Sequence, residues 1–235
     1  MKTETRHALK QDKFAVAAAS SASWVSENRS TVVRWAVSIM VALVVIVGGA
    51  IFWTMRTAAA DNALGAALDV YSTPLAEPGA PAQSGVYNTT ADRAKAANSK
   101  FVTVADKYGM LKQGKMARYF AGLTYAEMGQ NGPAEKELKE AAGSWNGDVA
   151  NVAKVALAGL YYQTGRDNDA ISLYNEIIAK PSTTVSAAVG QLSLADLYVA
   201  QGKQDQARAL WAKVQDADKD GAAGSIAAQK LGSKQ

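Results

Sequence analysis

The segment 216–221 is the part of the chain whose residue types and spacing come nearest to a chemical motif. It runs Asp-Ala-Asp-Lys-Asp-Gly. Carboxylates at positions 1, 3 and 5 with a glycine at position 6 form the first half of a calcium loop. Position 12 of such a loop should be glutamate, but it is Ala227 here, and Lys219 lies among the carboxylates. We favour an Asp- and Gly-rich connector to a last helix over a metal site.

Other catalytic chemistry finds little support in the sequence. The chain has no cysteine and one histidine, His7, which lies in the N-terminal tail. No G-x-S-x-G turn, phosphate-binding loop or H-E-x-x-H helix occurs in the sequence. We therefore expect neither catalysis nor a cofactor.

An uncharged apolar run near the N-terminus predicts a membrane-spanning helix. Residues 35–55 form 21 positions without a formal charge, between Arg34 and Arg56. As a helix they reach roughly 30 Å, the thickness of a hydrocarbon core. Trp35 and Trp53 lie at the two ends of the run, where aromatic rings prefer to meet the headgroups.

A cleaved signal peptide is the alternative to a retained anchor. Three alanines, 58–60, precede Asp61 and fit a cleavage site. The preceding region and the apolar run are both longer than is usual for a signal, and an alanine tract also suits a helix that continues beyond the membrane. We favour retention.

The charge distribution predicts the orientation of the chain. Residues 1–34 carry six basic and three acidic side chains, a net +3, which leaves about +1 of the total +4 for the remainder. The positive-inside rule then places the N-terminus in the cytoplasm. A nearly neutral outer domain has no nucleic-acid footprint. Within the tail, residues 5–30 suit either an amphipathic surface helix or a loosely ordered segment.

A repeat of 36 to 37 residues dominates the second half of the chain. Three glycines define it, and four further columns keep the same step. The glycines are Gly129, Gly165 and Gly202; the other columns are Gly122/Ala158/Ala195, Tyr125/Tyr161/Tyr198, Ala134/Ala170/Ala207 and Leu138/Tyr174/Trp211. We predict that each glycine ends a first helix in the left-handed conformation. The small residues should let the partner helix approach closely.

These columns resemble the tetratricopeptide repeat, a helix-turn-helix unit. The resemblance implies an all-α fold: one N-terminal transmembrane helix followed by a solenoid of helical hairpins. We predict a basic tail at 1–34, the span at 35–55, a degenerate leading hairpin at 56–114 with a Pro-rich loop at 73–90, three repeats at 115–215, and a capping helix and tail at 216–235. Within the leading hairpin we expect Thr90 to be an N-cap.

The layout as a whole is similar to the ancillary subunit of the bacterial Sec translocon, the YfgM-like group. That similarity implies a periplasmic scaffold for protein–protein interactions at the bacterial inner membrane that helps protein export or folding. Its partners would be translocon or chaperone components or secreted clients, with lipid contacting residues 35–55. The alternative is a structural subunit of an envelope or cell-division assembly with fixed partners.

The repeat pattern also predicts a partner-binding groove on the inner face of the array, which first helices form. The groove candidates are Tyr119, Leu123, Val155, Tyr162, Leu192 and Asp196. Any one of them could instead be ordinary core between helices. The face lacks the Lys, Arg and Asn set with which some relatives hold a terminal carboxylate, so we do not expect an acidic-tail ligand.

Overall fold

The computed structural model describes residue 24, residues 28–76 and residues 86–232, and in these ranges the chain is all-α, as predicted. Residues 5–30, for which an amphipathic helix and a loosely ordered segment are both expected alternatives, fall largely outside the described residues. Two compact units are present, an N-terminal unit (1–56) and a repeat domain (57–235). The helices are α1 (Arg29–Tyr71), α2 (Thr90–Tyr108), α3 (Lys112–Glu127), α4 (Asn131–Ala142), α5 (Gly147–Gln163), α6 (Asp167–Ala179), α7 (Ala187–Ala200), α8 (Gln204–Ala217) and α9 (Ala222–Gly232).

The described part of the N-terminal unit consists of residues 24 and 28 and the first portion of α1. None of the most apolar 18-residue stretch of this helix is buried, and its Val, Ile and Leu side chains point outward on all sides. Among the described residues, α1 is the helix that is long and apolar enough to cross a membrane; a signal sequence meets the same criterion. In the middle of such a helix every backbone N–H and C=O group is hydrogen-bonded within the helix, which is necessary because lipid offers no hydrogen-bond partner.

In the repeat domain, each helix from α2 to α9 packs against the next one along the chain. The first helices α3 and α5 also pack against each other. Residues 57–71 of α1 contribute Ala60 and Ala67, both fully buried, to a cluster with α2 and α3. Rings of Tyr71, Phe101 and Phe120 meet in that cluster, with Phe101 and Phe120 stacked at 5.1 Å.

The repeat glycines end first helices in one conformation, which confirms the prediction. Gly129, Gly165 and Gly202 have φ of 73°, 74° and 73°. The residue after each glycine donates its N–H to the carbonyl of the repeat tyrosine, at 2.7 to 2.9 Å, and the glycine N–H bonds to the residue after that tyrosine. This pair of backbone hydrogen bonds defines a Schellman motif, which occurs at all three glycines. The tyrosine column therefore supplies a cap carbonyl as well as a packing ring.

The small-residue column allows close helix packing, also as predicted. A Cβ on Gly122 would lie 2.5 Å from Cγ of Leu138 on α4, while Ala158 and Ala195 are fully buried at the equivalent positions. Leu138 and Trp211, from the large-residue column, are among the most deeply buried side chains. The columns are thus contacts between the two helices of a hairpin.

Two connections in the repeat domain have defined hydrogen bonds. At the N-terminus of α2 the N-cap is Thr89, one residue before the predicted Thr90, because the Thr89 hydroxyl accepts from the Asp92 N–H at 3.0 Å. Residue type does not distinguish the two positions, because both are threonine. The preceding connection is closed at its base by a bond from Ala76 N–H to the Tyr87 carbonyl at 2.9 Å.

The aspartate-rich segment performs a capping function in this structure. Asp218 Oδ2 accepts from the N–H groups of Ala223 and Gly224, at 3.1 and 3.2 Å, in the first turn of α9. This carboxylate satisfies donors that a helix start leaves without a partner. Across the described residues, no three His, Cys, Asp or Glu side chains are placed to hold a metal ion.

Candidate functional site

The predicted groove residues are shared by three first helices: α3 holds Tyr119 and Leu123, α5 holds Val155 and Tyr162, and α7 holds Leu192 and Asp196. Tyr162 and Asp196 are exposed, and the other four are partly buried. The structure therefore separates the set into residues that solvent reaches freely and residues that also serve packing.

Three of the four partly buried members pack against hydrophobic clusters. Tyr119 and Val155 lie against the central cluster that includes Leu157 and Tyr161, and Leu192 lies against the C-terminal cluster around Trp211. Tyr119 also meets the Phe120 ring edge-on at 5.0 Å, and its burial raises the pKa of its hydroxyl. These three contacts are of the kind expected if some groove candidates belong to the core between helices.

Tyr162 and Asp196 are brought together in one cleft of about 290 Å³. Three consecutive helices form it, α5, α6 and α7. Its six lining residues are Tyr162, Tyr174, Ser193, Asp196, Leu197 and Ala200. The cleft thus presents one carboxylate, two phenol rings and one aliphatic hydroxyl beside the apolar side chains of Leu197 and Ala200.

The charge in the cleft is the carboxylate of Asp196. Its Oδ1 accepts a hydrogen bond from Lys230 Nζ of α9 at 2.6 Å, and the Asp196 side chain remains 55% exposed. Lys230 Nζ also lies 5.7 Å from the centre of the Trp211 ring. Burial, and then the negative charge of Asp196, raise the pKa of the Tyr174 hydroxyl, so Tyr174 remains a neutral phenol at neutral pH.

Local backbone geometry holds the two sides of the cleft. Tyr162 lies in the last turn of α5, where its carbonyl accepts from Gly165 N–H at 3.1 Å within the Schellman motif. The connection between α6 and α7 is tied to α5 by Asn151, whose Nδ2 donates to the Lys180 carbonyl at 2.9 Å. Asp148 Oδ1 accepts from the Thr183 hydroxyl at 2.7 Å and from Thr184 N–H at 3.1 Å. These bonds determine where α7 begins beside α5.

A charged network joins the preceding hairpin to α5. Glu135 Oε1 on α4 accepts from Lys139 Nζ at 2.7 Å and from Arg166 Nη1 at 2.8 Å. The Arg166 guanidinium lies 4.0 Å from the Tyr161 ring centre, and the Tyr161 hydroxyl donates to Glu135 at 3.2 Å. Hydrogen bonds from Lys139 and then Arg166 lower the pKa of Glu135 to about 2.

The cleft is suited to binding. General acid–base or nucleophilic catalysis needs a nucleophile beside a base that a third group orients. The six lining residues include hydroxyls and a carboxylate but no histidine, lysine or cysteine. Positive evidence for catalysis is therefore lacking in this cleft, whereas a carboxylate beside aromatic rings can recognise a ligand group.

Four residues of the cleft were not among the groove candidates. Ser193 and Ala200 lie three before and four after Asp196, and Leu197 follows it, so helical spacing alone would have placed Ser193 and Ala200 on its face. The repeat pattern assigns Tyr174 to packing, because it stands in the column of large residues. Lys230 gave no signal, because 34 residues separate it from Asp196.

Comparison with protein-family models gives a match. The family model described as a tetratricopeptide repeat-like domain covers residues 29–233, which is most of the chain. The search of curated proteins finds no match to the chain.

Proposed function

Because the chain belongs to the tetratricopeptide repeat-like family, we propose that it is a membrane-anchored scaffold for protein–protein interactions. Members of this class stack helical hairpins whose first helices form an extended binding surface, and such repeats typically act as scaffolds without catalysis. The cleft that joins Tyr162 to Asp196 is the observation that carries the proposal. It is formed by the first helices α5 and α7 together with the second helix α6, and it offers polar groups beside apolar side chains, a composition typical of binding sites.

Retention of the N-terminal helix is part of the proposal. Its exposed apolar side chains suit lipid, and Trp35 and Trp53 suit the two interfaces. Cleavage after Ala60 would cut inside α1 at a residue that is fully buried in the repeat domain. Ala60 and Ala67 both serve that domain's core, which supports an anchor that continues into folded structure.

The proposal further places the protein in the bacterial inner membrane, with residues 1–34 in the cytoplasm and the repeat domain in the periplasm. The six basic residues before the span support this orientation through the positive-inside rule. The proposal also divides the chain after the span into a leading hairpin (56–114), three repeats (115–215) and a cap (216–235). In this role the protein would assist export or folding of other proteins, as the layout of tail, anchor and repeats suggests.

The cysteine-free sequence makes a topology experiment direct. Single cysteines are placed by Thr3→Cys in the tail and Lys213→Cys on the exposed surface of α8. In cells with a permeabilised outer membrane, a membrane-impermeant maleimide should label Lys213→Cys alone. Thr3→Cys should be labelled only after lysis, and the labelled protein should be the full-length chain. A full-length chain with the opposite labelling pattern would contradict the orientation, and loss of the Thr3→Cys label from the mature protein would contradict the retained anchor.

Partner capture tests the scaffold itself. A photo-crosslinking amino acid in place of Tyr162 or Tyr119 should capture proteins that the same substitution at Lys213 does not. Assorted clients together with translocon components support the export helper. One or two stoichiometric partners would favour the structural subunit of an envelope assembly. Equal capture at Tyr162 and Lys213 would argue against binding in the groove.

A further inference from the structure

The Tyr162–Asp196 cleft has the chemistry of a cation site. Its formal charge is one carboxylate, and two of its walls are the tyrosines Tyr162 and Tyr174. A lysine or arginine head group gains from both features, because a carboxylate accepts charge-assisted hydrogen bonds and an aromatic face attracts a cation. Among the six lining residues an anionic ligand group would meet the Asp196 carboxylate and no basic side chain, because Lys230, which pairs with that carboxylate, is not part of the lining.

The size of the cleft limits what can enter it. Pockets for whole small molecules usually measure about 300–1,000 Å³. This cleft, at about 290 Å³, is at the lower end, and one face of it is open to solvent at Tyr162, which is 44% exposed. A single long side chain that extends from a bound polypeptide suits these dimensions. The apolar contacts of Leu197 and Ala200 would accommodate the aliphatic stem of that side chain.

The chain already shows that Asp196 binds a cation. Lys230 Nζ of the capping helix α9 lies 2.6 Å from Asp196 Oδ1. A carboxylate can accept about four hydrogen bonds, so one lysine leaves acceptor capacity at this side chain. At 55% exposure of Asp196 and 34% of Lys230, water screens the pair, and another cation can replace Lys230 at small cost.

We propose that the cleft between α5, α6 and α7 is a subsite for a lysine or arginine side chain of a partner polypeptide, and that Lys230 competes with this side chain for Asp196. The proposal rests on the interaction-scaffold function given above and specifies the chemistry of the partner. In this proposal α9 caps the array and also supplies an internal competitor, Lys230, which sets how strongly the cleft selects basic segments.

The test compares peptides that differ at one side chain. Fluorescein-labelled dodecapeptides of identical sequence carry arginine, its neutral isostere citrulline, or glutamate at the centre, and fluorescence anisotropy measures their binding to the full chain in a nonionic detergent. The arginine peptide should bind more tightly than the citrulline peptide by about three- to tenfold. The glutamate peptide should bind most weakly.

Matched variants assign the preference to the cleft. Asp196→Asn should make the arginine and citrulline peptides bind alike, and Asp106→Asn, which removes an exposed carboxylate on α2, should leave the preference intact. Lys230→Gln should strengthen binding of the arginine peptide about two- to fivefold and leave the citrulline peptide unchanged. If Asp196→Asn does not fold, Asp196→Glu and Lys230→Gln carry the test.

The outcomes separate this inference from the proposed function. Equal binding of arginine and citrulline peptides, or no binding of either, overturns the cation subsite, while crosslinking from Tyr162 would still report a scaffold. A preference that survives Asp196→Asn overturns the assignment to this cleft. An unchanged arginine affinity in Lys230→Gln overturns the competition. Failure of the crosslinking experiment alongside a clear arginine preference would instead contradict the proposed function and leave the subsite standing.

Discussion

Asn98 on α2 and Thr124 on α3 form a buried hydrogen bond, with 2.9 Å between Asn98 Nδ2 and Thr124 Oγ1. The same amide nitrogen donates to the Ala121 carbonyl at 3.1 Å, and the Thr124 hydroxyl lies 2.9 Å from the Phe120 carbonyl, to which it can donate. Asn98 is 7% exposed and Thr124 is fully buried. A polar pair in such a place is favourable only while its hydrogen bonds are made, so it fixes how α2 and α3 meet.

Loss of this pair should destabilise the repeat domain. Asn98→Ala removes two bonds and should lower the free energy of unfolding by about 1–3 kcal/mol, whereas Thr124→Val should cost about 1 kcal/mol. Urea denaturation followed by circular dichroism measures both. Ser99→Ala, at an exposed neighbouring position, should stay within about 0.5 kcal/mol of the parent. Equal effects of Asn98→Ala and Ser99→Ala would show that the buried bonds contribute nothing.

The repeat glycines should resist substitution for a conformational reason. Gly165→Ala forces a side chain into the left-handed region and should destabilise by about 1–2 kcal/mol. Gly159→Ala is the matched control, since Gly159 lies inside α5 with no atom near the added Cβ. It should be neutral or stabilise by up to about 1 kcal/mol, because alanine favours helix. Gly165→Ala should lower the melting temperature and Gly159→Ala should not, and an equal fall in both variants would refute the explanation.

Close packing of α3 on α4 predicts a compensating pair. Gly122→Ala places a Cβ 2.5 Å from Leu138 Cγ and should cost about 1–3 kcal/mol through overpacking. Leu138→Ala alone should cost about 2–5 kcal/mol through the cavity that it leaves. In the double variant the new methyl group enters space that Leu138 vacates. The double variant should therefore be destabilised by less than the sum of the two single effects. Strict additivity in a double-mutant cycle would contradict the direct contact.

The Glu135 network should make stability depend on pH. The pKa of Glu135 is lowered to about 2 when folded, against an ordinary value of 4.5, so its contribution is present above about pH 4.5 and is lost as the pH falls towards 2. Glu135→Gln should therefore destabilise at pH 7 by at most about 1 kcal/mol, since the pair is partly solvated, and match the parent near pH 2. In an Arg166→Gln background the effect of Glu135→Gln should shrink. A pH-independent difference between Glu135→Gln and the parent would refute the electrostatic origin.

Capping by Asp218 predicts how the aspartate-rich segment responds to mutation and to calcium. Asp218→Ala should destabilise by about 0.5–2 kcal/mol, because two N–H groups of α9 lose their acceptor. Asp218→Asn retains an oxygen acceptor and should recover most of that loss. Millimolar calcium should leave the melting temperature of the parent unchanged. A calcium-dependent rise in melting temperature that Asp218→Ala abolishes would instead establish a metal site.

Features that depend on local sequence were predictable. The apolar run at 35–55, the all-α class and the left-handed glycines follow from length, hydrophobicity and backbone sterics, which act within a few residues. The repeat step also placed Tyr125, Tyr161 and Tyr198 correctly as equivalent positions. It did not reveal that their carbonyls close the Schellman motifs, because residue type does not report where a backbone oxygen bonds.

The tertiary structure decided which side chains share a place. The cleft needs α5, α6 and α7 side by side, and the cation that Asp196 holds comes from α9, 34 residues away. Sequence periodicity selects a face of a helix but cannot say whether that face meets solvent or a neighbour, so Tyr162 and Val155, both candidates on α5, differ in exposure. By itself the sequence determined the anchor candidate and the repeating hairpins, since these arise from local chain properties. Packing between helices that are distant in the sequence, which depends on the full three-dimensional arrangement, decided which of the groove candidates share a cleft.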